Sequence, residues 1–273
     1  MKDKNTMDGR EVTAKSLAEH RRRCKAIPGN CPFEKAFLRK AENEDSVSGA
    51  MPGRTLSDRR YLEAVARDDK RACELMIREA AARAMQQTEM RTDGGVPQIV
   101  YRGSDESPNV FRERTFFTLS KAYARNYGKV RSFYLNVAHL KDIGDIQLPC
   151  EKETVDDFSR KSGVALKDIF ALKGIGSGVK NDYYEEMGGV TSIFEIAYNK
   201  DFAKMLSDRG FDAFVAREGD ESYQGVGASG RAISIAVLDP HLIKLADPVT
   251  YDDNGDPIPI SKRFDFRNPD IRY

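Results

Sequence analysis

Pro97-Gln98-Ile99-Val100-Tyr101-Arg102-Gly103 and, after a short loop, Arg114-Thr115-Phe116-Phe117-Thr118-Leu119-Ser120-Lys121-Ala122-Tyr123-Ala124-Arg125-Asn126-Tyr127-Gly128 are the stretch whose reading decides the fold. Gln98 to Gly103 is an apolar run with β-branched and aromatic residues, and it ends in an Arg and a Gly where a turn begins. That composition predicts a strand. Arg114 to Thr118 predicts a second. Ser120 then stands where an N-cap belongs, Lys121 to Tyr127 reads as a helix, and Gly128 stops it. Ser132 to Val137 alternates polar and apolar and predicts a third strand. An Arg at a strand end, aromatics on the next strand and a Tyr on the following helix can line one pocket. Such a pocket suits a ligand with phosphates and a flat ring.

The rest of the chain frames this stretch. With 273 residues it is long enough for a buried core, as one large or two small domains. A formal net charge of +1 gives no bulk field for nucleic acid or an anionic membrane. Cys24, Cys31, Cys73 and Cys150 show neither a CxxC pair nor His at zinc spacing, so they read as free thiols of a reducing compartment. The N-terminus is charged where a signal peptide needs an apolar core, and no apolar run approaches membrane-spanning length. The expectation is a soluble, cytoplasmic protein with no metal site.

Outward from the centre, residues 1–56 are polar, are expected to be partly disordered, and carry no recognisable chemistry. The basic cluster His20-Arg21-Arg22-Arg23-Cys24-Lys25 reads as a solvated helix end, with contact to nucleic acid or an acidic partner as the alternative. Residues 57–95 predict a helical pair capped by Ser57 and broken at Arg67-Asp68-Asp69-Lys70, with Tyr61, Leu62 and Val65 on one inner face and Ala72, Leu75, Met76, Ala80 and Ala84 on the other. After the central stretch come an edge segment at 143–148, short helices at 151–161 and 165–172, and a glycine-containing loop at 174–180 without P-loop spacing. The acidic, aromatic run 181–186 could flank a cleft. A helix from Thr191 to about Arg209 closes on Gly210, and strands follow at 211–216 and 231–238, joined by a glycine-rich loop. Helices cluster before and between strands without a strict βαβ alternation, which argues an α+β fold with mostly antiparallel sheet.

Taken together, the core resembles the ADP-ribosyltransferase fold, most closely the transferase-like domain of phage and mobile-element polyvalent proteins. Val100-Tyr101-Arg102-Gly103-Ser104 is similar to the strand whose His-Gly or Arg-Gly holds NAD. Phe116 through Tyr127 resembles the segment that walls the nicotinamide in the poly(ADP-ribose) polymerase and diphtheria-toxin branch. Phe116 and Tyr127 keep that branch's eleven-residue spacing of aromatics. Gly210-Phe211-Asp212-Ala213-Phe214 looks like the polyvalent domain's Gly-Tyr-Asp-Gly strand. Val237-Leu238-Asp239-Pro240-His241-Leu242-Ile243-Lys244 and the Asp-Ile-Arg-Tyr terminus look like its ending. The resemblance covers roughly residues 57–273. It implies a split antiparallel β-sandwich over residues 96–273 with a helical insertion, NAD as substrate, and ADP-ribosyl transfer, a glycosyltransferase reaction, to a host protein. It also implies a toxin-like role and delivery into a host cell with element DNA.

The chemistry sets a role for each position. Breaking the nicotinamide–ribose bond passes through an oxocarbenium-like state, which calls for a held diphosphate, a fixed nicotinamide and a stabilised cation. Arg102 offers a planar fork of donors for phosphate or ribose oxygens. Gly103 admits close backbone approach to the carboxamide. Phe116 and Tyr127 can sandwich the ring, and the Thr118 hydroxyl lies within reach. The branch keeps a catalytic Glu at the start of its last strand, and here that position is Ser234. Glu218, Glu221 and Gln224 lie in the preceding loop and are the alternative sources of the catalytic group. Bland readings stand beside these: Arg102 as a surface ion pair, Phe116, Phe117 and Tyr123 as core, Tyr127 as cover for a helix end. Without a catalytic Glu on the last strand, a silent NAD or ADP-ribose binder competes with the enzyme, as does a purely structural module.

Overall fold

The structure, a computed structural model, describes residues 6–7, 10–11, 56–172, 192–218 and 232–273. Helices α1 (Leu56–Ala66) and α2 (Lys70–Ala84) precede strands β1 (Val100–Gly103) and β2 (Thr115–Thr118). Helix α3 (Lys121–Ala124) runs into a 3-10 turn at Arg125–Tyr127, followed by β3 (Val130–Leu135) and β4 (Leu140–Asp145). The insertion holds α4 (Lys152–Ser162), α5 (Leu166–Phe170), α6 (Ile193–Ala197) and α7 (Lys200–Asp208). Then come β5 (Ala213–Glu218), β6 (Ala232–Val237) and β7 (Ile243–Leu245). The fold is α+β, as the order of elements predicted.

The seven strands form one sheet in the order β4-β5-β6-β2-β1-β3-β7, antiparallel except for β4 beside β5. Residues 136–139 alone join β3 to β4, yet these strands are five places apart in the sheet, ~24 Å if it were flat. So short a link reaches only ~18 Å. The sheet therefore curls, and Asp212 fastens the closure: its carboxylate accepts from the Ala138 and His139 N–H groups, each at 2.9 Å. β1 and β2 share a single register pair, Tyr101 with Thr118. The sheet is thus split at that seam into a four-strand and a three-strand part.

Alternation gives the curled sheet an inner and an outer face. Val100, Phe117, Phe133, Leu135, Ile235, Val237, Ile243 and Leu245 turn inward and are buried with Phe111 and Ile271. The outer face is covered twice. Over the four-strand part lie α4–α7, with Val155, Phe158, Ile196, Phe202 and Leu206 packed on Phe214 and Ala236. Over the three-strand part lie α1 and α2, which meet Tyr134, Ile260 and Phe264. The predicted stripe on α2 holds in part: Ala72, Met76 and Ala80 pack against the inner cluster, but the most deeply buried positions lie one residue further on. Cys73, Ile77 and Ala81 are the buried residues, whereas Leu75 is 40% exposed. The helix lies against the rings of Tyr134 and Phe264, and small or β-branched residues fit that surface closely. Asp69 caps α2 through Ala72 N, 3.0 Å away. Asp58 ties α1 to the C-terminal segment by accepting from Ser261 N and Oγ, both at 2.8 Å.

The chain end belongs to the core. Ile271 is fully buried, Leu245 N donates to Ile271 O, and the buried Lys244 ammonium donates to Asn268 O and Asp270 O. Arg272 pairs with Asp270 and Asp253, both at 2.7 Å. No helix among the described residues is long and apolar enough to cross a membrane. Among them Cys73 and Cys150 are free, buried thiols, while Cys24 and Cys31 lie outside the described residues.

Candidate active site

The site forms on the outer face, along the β1/β2 seam and across β6 and β5. Cross-strand partners share a face. The register Ala216–Ser234–Thr118–Tyr101 therefore sets those four side chains in one row. Two residues from this row on either side of it, Phe116 on β2 and Glu218 on β5 lie on the same face. Helix α3 begins where predicted, Ser120 Oγ accepting from Tyr123 N at 3.1 Å. It continues as a 3-10 turn instead of a longer α-helix, and that tighter turn ends at Gly128, φ 112°. The turn packs directly over Gly103, where a Cβ would stand 1.8 Å from Ala124 O and 3.2 Å from Tyr127 Cβ. Gly103 is thus needed for the approach of α3 to β1, a packing role in addition to the ligand role expected of it.

Glu218 is the centre of the polar cluster. It ends β5 and is only 6% exposed. The Ser234 hydroxyl donates to one carboxylate oxygen, and Tyr198 OH donates to the other at 3.0 Å. Burial, together with the Glu218 charge, pushes the Tyr198 phenol well above its ordinary range, so it stays a donor. Of the candidates named from sequence, Ser234, Glu218, Thr118 and Phe116 are brought together. Glu221 and Gln224 lie outside the described residues.

The aromatic residues part ways. Phe116 stacks on Tyr198, with centroids 4.3 Å apart and planes within 6°, and Tyr198 in turn stacks on Phe194 at 4.0 Å. Phe117 and Tyr123 are buried, which is the core reading. Tyr127 is 48% exposed, meets Tyr123 edge-on at 5.5 Å and donates its hydroxyl to that of Tyr123 at 2.9 Å. Burial first, then that hydrogen bond, raises the Tyr123 pKa.

Arg102 points the other way from Gly103, to the inner side of β1. Its guanidinium lies 5.6 Å from the Phe111 ring and donates to Phe116 O across the open seam at 3.0 Å. Its Nε is buried with no hydrogen-bond partner, and so is one terminal nitrogen of Arg114. Burial pulls the Arg102 pKa down, offset in part by Tyr198 and Glu106. Arg114 acts electrostatically on Tyr198 from the start of β2, where it holds a positive φ of 58°. An orphaned buried N–H is costly and calls for an acceptor. Two such donors beside one aromatic cluster suit an anionic ligand.

Sequence reasoning missed Tyr198 and Arg114. The reading of one helix up to Arg209 hid Tyr198. The helix is broken at Tyr198–Asn199, because Asn199 caps α7 by accepting from Asp201 N at 2.8 Å. Asn followed by Lys-Asp was the available signal. Gly210 takes its expected place after α7, φ 85°; Thr191, the expected cap, lies outside the described residues. Comparison with known proteins finds no matching family model, no matching curated protein and no matching solved structure.

Proposed function

We propose that this chain binds NAD on the outer face of the sheet at the β1/β2 seam and transfers ADP-ribose from it to a protein acceptor. The observation that carries the reading is Glu218: a buried carboxylate bonded to the hydroxyl of Ser234, the position at which the resembled family keeps its catalytic Glu. β5 and β6 are adjacent and antiparallel, so a carboxylate from β5 can reach the place that a longer side chain on β6 would occupy.

In this reading Glu218 accepts a ribose hydroxyl and its charge stabilises the developing cation. Ser234 fixes the carboxylate. The diphosphate draws on Arg102, whose guanidinium it reaches through the open β1/β2 seam, and on Arg114, and Tyr127 and Phe116 bound the nicotinamide. The C–N bond between ribose and nicotinamide breaks, and its electron pair leaves with nicotinamide. The acceptor's nucleophilic atom forms the new bond to the same carbon and gives up its proton. A silent binder is the second reading, favoured by one observation: Tyr198 already covers Phe116 and engages Glu218.

Calorimetric titration of NAD into the full chain tests the shared premise, with saturable one-to-one binding expected. Labelled NAD in a cell lysate then separates transfer from mere binding. No binding of NAD to the folded chain or to its folded Tyr198→Phe form would refute both readings.

A further inference from the structure

The aromatic slot and the carboxylate of the proposed site are both engaged by one side chain of the protein itself. Tyr198 lays its ring flat on Phe116, 4.3 Å away, and points its hydroxyl at Glu218, 3.0 Å away. In the reading above, these are the two things a nicotinamide riboside would do there: stack a flat ring and offer a hydroxyl to the carboxylate. The other partners of Phe116 and Glu218 do not reproduce that pair. Phe214 meets Phe116 edge-on at 6.2 Å, and Ser234 takes the other carboxylate oxygen.

We infer that Tyr198 is a displaceable plug that imitates the ligand, holds the site closed and must swing out before NAD enters. This rests on the function proposed above. Its place in the fold suits the task. Tyr198 stands at the break between α6 and α7, outside either helix, at φ −85° and ψ −2°. Moving it does not require unwinding a helix interior. Phe194 backs the ring at 4.0 Å, and Arg114 acts electrostatically on the same phenol. Withdrawal of the plug frees the Phe116 face and one Glu218 oxygen together. A ligand carrying both a flat ring and a hydroxyl recovers both contacts, whereas a ligand with only one recovers half. The plug therefore selects for a nucleoside-like substrate. It also sets affinity, because the open form is the competent one and its population scales the apparent binding constant.

The test is calorimetric titration of NAD into the parent chain and its Tyr198→Phe and Tyr198→Ala forms, with circular dichroism to confirm folding. Tyr198→Phe keeps the ring stack and loses only the hydrogen bond that holds the plug down. Its affinity is expected to rise roughly ten- to a hundredfold, the worth of one hydrogen bond to a charged group. Tyr198→Ala removes both contacts and is expected to bind tighter still. A parent that binds too weakly to measure while either variant binds supports the plug equally. Should the parent bind NAD and both variants bind it equally or more weakly, Tyr198 is a fixed wall, and the inference falls while the NAD reading stands. Should neither the parent nor either variant bind, all being folded, both fall.

Discussion

Replacing Gly103 by Ala tests how β1 and α3 are joined. The added Cβ would stand 1.8 Å from Ala124 O and 2.8 Å from Ala124 C, against an ordinary contact of at least 3.4 Å. Both atoms are backbone, so no side chain can rotate away, and α3 must retreat by on the order of 1.5 Å or β1 must shift. Overpacking of this kind costs about 3 kcal/mol. Alanine's smaller unfolded-state entropy returns somewhat less than 1 kcal/mol. The expected net loss is about 2 kcal/mol, read as a lower urea midpoint at unchanged slope. Because Tyr127 Cβ also lies 3.2 Å from the added atom, the same variant should bind NAD less well. A loss below about 0.5 kcal/mol would refute the packing argument.

Arg102→Ala should weaken NAD binding by about 1.5–3 kcal/mol, the worth of a charge-assisted hydrogen bond, as measured by calorimetry. Tyr123→Ala should cost about 3 kcal/mol or more of stability because that ring is buried, whereas Tyr127→Ala should cost little stability and more ligand affinity; denaturation and titration of the pair separate the roles. Burial, and to a lesser extent Glu195, pushes the Cys150 thiol up to about 12, while in the unfolded chain it ionises near ~8.5. Between those values the folded state keeps a proton that the unfolded state has lost. Stability from this group is therefore complete below about pH 8.5 and falls by about 1.4 kcal/mol per pH unit above it. Cys150→Ala should remove that one-proton slope in urea melts taken from pH 8 to 10.

The elements of the central stretch were legible because their signals are local. The strand runs, the Ser120 cap and the turn at Gly128 each depend on a few neighbouring residues. Helix α2 was found with part of its inner face, Ala72, Met76 and Ala80, but its most deeply buried positions, Cys73, Ile77 and Ala81, were not, since they are set by packing with Tyr134 and Phe264 from distant parts of the chain. The same limit governs the site. Nothing local says that Glu218 faces Ser234; the β5–β6 register decides it. Likewise Tyr198 reaches Phe116 only because Asn199 breaks the helix and the insertion folds back over the sheet. The curl of the sheet follows from the short link at 136–139, and only the strand order reveals what that link demands.

The central claim is that Glu218 supplies the carboxylate missing at position 234, and nicotinamide release from NAD measures it. Glu218→Gln keeps the shape and a hydrogen-bonding end but removes the charge, so release should fall by about 10²–10³-fold with NAD affinity little changed. Ser234→Glu should not rescue or accelerate it, because a second carboxylate against Glu218 in this buried place repels the first. Equal release by the parent and Glu218→Gln, or faster release by Ser234→Glu, would contradict the assignment.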